Sequence, residues 1–571
     1  MLTLKKQAAL LISDAAEKAF PTCGLAADAV FDMLEFPPDP SMGDLALPCF
    51  KLAKTLRQAP PRIAAALAEN CVSPAFDRVE TVGGYLNFYI NYAAFAERLC
   101  GVISSEGEDY GSPHCGEGKT VVLDYSSPNV AKPFHVGHLG TTVIGHSLRL
   151  LHEFAGYHCI GINHLGDWGT QFGKLICAYR RWGSREKVER REIDELVELY
   201  VRFHKEAEED PALNDEARAE FRKLEQGDPE NLALWKWFIE ISLREYQKTY
   251  KQLGITFDSY NGESFYTDKM PRQVELLREK GLLKIDDGAS VVDLSEWNMP
   301  PCLILKRDGS TLYPTRDIAA AVYRAENYHF DKCIYVTSAG QSLHFAQWFK
   351  VVELMGYPWY DRLVHVPYGT VSINGEKLST RSGNVILLKD LFAAAVEKVR
   401  EISREKNENE ENRDGIAEAV GVGAIVFYYL SNNRMRDINL VLEDALSFDG
   451  NTGPYAQYTY ARTCSILSKA ADPKAAYKAC GTPEPTEAAL VKVLSAFPER
   501  VKAALDEYEP SYITRYILEL CAAFNRFYHE CAILSCEDPA LRDNRVALTA
   551  CVNTVLGRAL TLICLKKTEK I

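Results

Sequence analysis

An apolar run, Thr120-Val121-Val122-Leu123-Asp124-Tyr125, breaks into a short polar loop and resumes as a helical pattern from Leu139 to Phe154. Strand, tight loop and helix start, in that order, leave few architectures open. The alternation continues: further strands are predicted at 159–163, 332–338 and 363–367, and helices at 138–154, 170–182 and 343–355. Strands separated by helices of this length imply a parallel, doubly wound sheet. Its ligand site should lie at the carboxyl ends of the strands.

The loop itself is Ser126-Ser127-Pro128-Asn129-Val130-Ala131-Lys132-Pro133-Phe134-His135-Val136-Gly137-His138. It delivers two imidazoles to the start of a helix, where unpaired N–H groups and a partial positive charge favour an anion. His135 and His138, three residues apart, share one face. Gly137 leaves room for a nucleotide base against the backbone. The reading is a phosphate site.

Two to four domains are expected, since 571 residues exceed what one core supports, and three are read along the chain. Residues 1–105 form a small α+β unit, with helices at 2–20, Asp44 to Leu56 and Arg62 to Glu69 and a strand at Tyr85–Ile90. Polar residues 105–118 read as a linker. The sheet domain covers 118–390 and is interrupted at about 184–250 by a charged helical insertion. From 391 to 571 the pattern is that of a helical bundle.

A net charge of −13 argues against a general nucleic-acid coat, but local basic patches still steer RNA. Lys51, Lys54, Arg57 and Arg62 are one candidate patch. The sixteen cysteines include no C-x-x-C pair, so neither structural zinc nor a disulfide framework is expected. No signal peptide and no membrane span are read, which places the chain in the cytoplasm.

Residues Lys377-Leu378-Ser379-Thr380-Arg381-Ser382-Gly383-Asn384 form a polar loop with two cations. With the histidine loop, in this order inside an α/β pattern, it resembles the HIGH and KMSKS signatures of class I aminoacyl-tRNA synthetases. ATP activation of a carboxylate needs the triphosphate neutralised and the reacting groups held in line. His135 and His138 suit phosphate oxygens; Lys377 and Arg381 would meet the β- and γ-phosphates, and Ser379 adds a hydroxyl. The second lysine of the signature is replaced by Thr380, so Lys132 or Arg381 is left to supply that cation.

Several further blocks resemble arginyl-tRNA synthetases: Ser126 to Pro133, His164 to Gly173, Gly262-Glu263-Ser264, Tyr313-Pro314-Thr315-Arg316-Asp317, Gln341-Ser342-Leu343-His344 and Gly453 to Tyr458. Gly43 to Ala46 and Gly84 to Phe88 match that family's extra N-terminal domain. The resemblance implies a Rossmann-like catalytic domain and an anticodon-binding helical domain. It implies an arginine–tRNA ligase using ATP with Mg²⁺, with L-arginine and tRNA(Arg) as partners, expected to be a monomer. A guanidinium needs carboxylates, and the resemblance supplies Glu263 and Asp317. Tyr313 would line that pocket, Gln341 would add an amide, and Ser127 and Asn129 would hold the α-amino and carboxylate end. His164, Asp167 and Gln171 are read as supports.

In the bundle, Asn451, Tyr455, Gln457, Tyr458, Tyr460 and Arg462 mix aromatic, amide and cationic groups, as reading of unpaired RNA bases requires. Tyr455, Gln457, Tyr458 and Arg462 are the expected tRNA contacts. The resemblance gives the N-terminal domain the tRNA elbow, and Ile571 stands where the family commonly ends in methionine. Two alternatives stay open at this point: a nucleotidyl-transfer enzyme for another substrate, and a catalytically silent RNA-binding relative.

Overall fold

The computed structural model describes every residue except Met1, Thr22, Asn374, 378–385 and 407–412. The N-terminal unit sets helix Leu2–Ala19 and its neighbours beside an antiparallel sheet. Its strands β1 (Leu45–Pro48), β2 (Phe76–Val82) and β3 (Tyr85–Ile90) lie in the order β1-β3-β2. The helix expected from Asp44 therefore begins as a strand, and only Ala53–Leu56 is α-helical. All four residues of β1 are buried against the unit's core, and Pro48 closes an edge strand, where its missing N–H costs nothing. Strand β2 escaped prediction because its charged residues face solvent.

Residues 105–118 are not a free linker. Tyr110 is buried, stacks on Phe497 and donates its hydroxyl to the Leu494 carbonyl at 3.2 Å. Arg558 and Lys567 of the bundle pair with Glu108. The segment thus ties the first domain and the sheet domain to the last.

The central sheet begins with β4 (Thr120–Asp124) and β5 (His158–Ile162), parallel and joined across helix Leu139–Phe154. The helical insertion follows, from Arg185 to Leu253. A small antiparallel sheet that the sequence reading missed comes next: β6 (Leu283–Asp286), β7 (Ala289–Val292) and β8 (Cys302–Leu305). Strands β9 (Lys332–Ser338) and β10 (Leu363–Tyr368) complete a four-stranded parallel sheet in the order β10-β9-β4-β5. Alternate side chains of each strand enter different cores. Val121, Leu123, Ile334 and Val336 join the large core shared with the bundle. Val122, Cys333 and Tyr335 face a second core under helices Tyr313–Tyr328 and Ser342–Leu354. Because β5 and β9 flank β4 on opposite sides, the strand order reverses at the end of β4, where a ligand crevice belongs.

Beyond β10 the chain forms β11 (Val371–Ile373) and β12 (Glu376–Lys377), a hairpin that carries Lys377. Strand β13 (Ile438–Leu440) adds to β11 in parallel, inside a region predicted to be wholly helical. Three residues are too short to show a period in sequence, and only the waiting edge of β11 makes them a strand. Helices from Leu388 onward form the remainder, ending with Pro539–Leu562. Helix Leu139–Phe154 meets this part closely: a Cβ at Gly140 would come within 2.2 Å of the Tyr429 hydroxyl.

Candidate active site

The two imidazoles stand at the end of β4, with ring centroids 4.0 Å apart. Each is held by backbone. The Gly137 N–H donates to His135 Nδ1 at 3.0 Å, and the His135 N–H donates to His138 Nδ1 at 3.1 Å. With Nδ1 accepting in both rings, the neutral tautomer carries its proton on Nε2. Each ring thereby becomes a fixed N–H donor. Burial pushes His138 down to about 3, helped by the charge of neighbouring groups. His135 is lowered too, by burial and then by the ammonium of Lys132. Both rings are neutral donors at physiological pH, and Lys132 is the nearby full charge. Gly137 has a local reason to be glycine: a Cβ there would meet the His135 ring at 2.7 Å.

The loop before the rings is braced from the insertion. The Tyr246 hydroxyl lies 2.8 Å from the carbonyls of both Asn129 and Lys132. Ser242 Oγ accepts from the Ala131 N–H, and Phe134 stacks on the His138 ring. Ser126, Ser127 and Ala131 all take positive φ, a conformation that L residues hold only when surroundings impose it. Below them, buried Arg324 donates to Asp124 Oδ2 at 2.7 Å. Asp124 Oδ1 accepts from Ser127 Oγ, which in turn accepts the His164 N–H. Ser379 and Arg381 lie outside the described residues. Their flanks do not: Lys377 ends β12, and the Val136 N–H donates to the Ile386 carbonyl beside His135. Ile386 and Leu387 therefore lie against the imidazole turn.

A cluster of carboxylates lies past the end of β5. Asp167 is buried and accepts from the Ser264 N–H and hydroxyl at 2.8 and 2.6 Å. Glu263 Oε2 is 2.8 Å from Arg316 Nη1, and Asp317 Oδ2 is 2.6 Å from His344 Nε2. Both carboxylates expected to hold arginine thus also have partners within the chain. Burial raises Glu263 to about 7; Arg316 opposes the rise, whereas Asp167 and Asp317 add to it. Tyr313 is 66% exposed at the mouth, and Gln341 and Asn129 are exposed as well. Sequence reasoning missed the internal partners Arg316 and His344, although both sit in the quoted blocks beside Asp317 and Gln341.

In the bundle the aromatic run divides. Gln457 is fully buried, its amide donating to the carbonyls of Ala419 and Lys566, so it presents nothing to RNA. Tyr455 is half-buried and its hydroxyl accepts from Asn525. Tyr458 is 43% exposed, with the Arg462 guanidinium 5.0 Å from its ring centre. On the other side of Arg462, at 4.9 Å, lies Tyr528, 40% exposed and absent from the sequence reading. Seventy residues of chain separate these two tyrosines, so no local pattern could announce the pair.

Comparison with known proteins agrees with this geometry. Residues 101–441 match the family described as tRNA synthetases class I (R), catalytic domain. Residues 456–571 match the DALR anticodon binding domain, and 6–90 the arginyl tRNA synthetase N terminal domain. A parallel sheet of this order, with an imidazole pair at its switch point, together with the match over residues 101–441, defines a class I aminoacyl-tRNA synthetase. The chain is 50% identical over 549 residues to the arginine–tRNA ligase of Alkaliphilus metalliredigens (strain QYMF), covering 96% of this chain and 97% of that protein. It is 50% identical over 546 residues to the enzyme of Clostridium perfringens (strain 13 / Type A), covering 94% and 96%. The fold matches arginyl-tRNA synthetase from Plasmodium falciparum with a TM-score of 0.79 at 24% identity, covering 100% of this chain and 99% of that one. The Thermus thermophilus enzyme matches at 0.78 and 24%, covering 98% and 99%. The chain belongs to the arginyl-tRNA synthetase family, and its activity is that of an arginine–tRNA ligase. No helix among the described residues is long and apolar enough to cross a membrane.

Proposed function

We propose that His135 and His138 donate their Nε2 protons to the ATP phosphates, with Lys132 supplying the cation that Thr380 does not. Lys377, Ser379 and Arg381 meet the β- and γ-phosphates. The observation that carries this reading is the pair of backbone N–H bonds to the two Nδ1 atoms, which leaves both rings as aimed, neutral donors. Donors fixed in advance stabilise charge as pyrophosphate leaves, without reorganising during the reaction. Mg²⁺ travels with the nucleotide on its phosphate oxygens, because imidazole and backbone N–H groups offer a hard cation no ligand.

Arginine enters with its guanidinium toward Glu263 and Asp317, beside Tyr313 and Gln341, and its α-amino and carboxylate end toward Ser127 and Asn129. Attack of the carboxylate on the α-phosphate gives arginyl-adenylate and pyrophosphate. The terminal ribose hydroxyl of tRNA(Arg) then displaces AMP. The DALR-matched bundle receives the anticodon through Tyr458 and Arg462, with Tyr455 behind them, and the N-terminal unit grips the tRNA elbow. Residues 1–105, 118–390 and 391–571 are the working domains of a cytoplasmic monomer.

His135→Ala tests the cradle. With tRNA present, arginine-dependent pyrophosphate exchange should fall about 10²–10³-fold, the scale for loss of one preorganised donor. Affinity for tRNA should be unchanged. Normal exchange in this variant would move the phosphate site elsewhere.

A further inference from the structure

Arg316 sits in the first turn of helix Tyr313–Tyr328, 5.8 Å from the Tyr313 ring centre, and its side chain is 13% exposed. Its partner Glu263 opens a short turn whose backbone is fixed by a 2.9 Å bond from the Glu263 N–H to the Leu165 carbonyl. The ion pair engages Oε2 of the carboxylate at 2.8 Å.

The surroundings are unfavourable to a second negative charge. The loop after β5 brings Asp167 and His164; helix Tyr313–Tyr328 brings Asp317; and helix Ser342–Leu354 brings His344 onto Asp317. Asp167 already spends both oxygens on Ser264. Three carboxylates thus converge, and Arg316 is the cation that contacts Glu263.

We propose that Arg316 is a positioning residue for amino-acid selection, acting through Glu263: it keeps that carboxylate anionic and turned toward the substrate's guanidinium. The inference rests on the reading that Glu263 lines the arginine pocket. Even with Arg316 in place Glu263 is raised to about 7 by burial. Without the guanidinium the acid protonates under neutral conditions. A protonated carboxyl carries no charge and has an O–H to donate, so it loses its ion-pair attraction for a guanidinium and can donate to a ureido oxygen. Arg316 therefore sets the preference for a charged side chain over an uncharged isostere.

The test is steady-state charging by the full-length protein from pH 6 to 9, with arginine and with citrulline as the neutral ureido analogue. Arg316→Gln should raise the arginine KM about fivefold at pH 7, the loss of anionic Glu263 that a one-unit rise from about 7 produces, with kcat changed far less. The defect should shrink toward pH 9, and the preference for arginine over citrulline should fall in parallel. Arg316→Lys should recover the wild-type pH profile. An Arg316→Gln defect equal at every pH overturns the proposal, as does an Arg316→Lys profile matching Arg316→Gln. Glu263→Gln separates the two levels. An unaltered arginine KM there sinks the pocket reading itself, whereas a raised KM beside a normal Arg316→Gln profile sinks only the inference.

Discussion

The imidazole cradle and the proposed arginine pocket are built by opposite means. The cradle is local: its decisive bonds join His135 to Gly137 and to His138, and its rings are neutral. The pocket is assembled from four separate stretches of chain around 167, 263, 316–317 and 344, and charge holds it together. A phosphate carries its own charge, so its site needs only donors in the right place. A guanidinium must be matched by carboxylates, and carboxylates crowded together need cations of their own. On the proposed assignment, backbone geometry serves ATP and ion pairs serve arginine.

Asp317→Asn should break the charge-built side most sharply. Removing one anion from a half-buried ion-pair cluster costs about 3–5 kcal/mol, so the arginine KM should rise about 10²–10⁴-fold with the ATP KM nearly unchanged. Equal losses for both substrates would mean that the two regions are one unit. The same division between placed and packed groups runs through the bundle. Tyr458→Ala should raise the tRNA KM about tenfold, the scale of one stacked base. Gln457→Ala should instead lower the melting temperature, since two carbonyls lose their donor, and leave the tRNA KM alone. If Gln457→Ala weakens tRNA binding and spares stability, the packing assignment is wrong.

Acidity distinguishes the two regions more gently. An acid raised to about 7 is neutral below that value and anionic above it. The wild-type arginine KM should therefore decrease severalfold between pH 6 and 8, while the KM for ATP follows only the nucleotide's own titration. A flat arginine profile would mean that Glu263 is ionised throughout. The smallest expected effect is none at all: nitrogen NMR of His138 should show no titration between pH 5 and 8, because burial holds it near 3. A midpoint near 6.5 would remove the neutral-donor description of the cradle.

Much of the molecule was readable from the chain because its signals are short-range. The parallel strands and their helices repeat at regular spacing, and the predicted limits 332–338 coincide with β9. His135 and His138 reach each other within three residues, so motif and geometry are nearly the same statement. The failures share a cause as well. Strand β1 read as helix because only its edge pairing with β3 makes it a strand, and β13 was invisible without β11. Residues 105–118 looked unattached until Phe497 was seen against Tyr110.

The amino-acid order by itself determined the sheet and the imidazole turn, because each is written in neighbouring residues, and it determined arginine as the substrate through scattered blocks that resemble one family. Tertiary structure alone decided that Arg316 faces Glu263, that His344 faces Asp317, and that Gln457 is core while Tyr528 joins Tyr458 around Arg462. Those pairings depend on burial and on long-range contacts. A side chain's charge state and exposure are properties of its surroundings, which the chain acquires only when it folds.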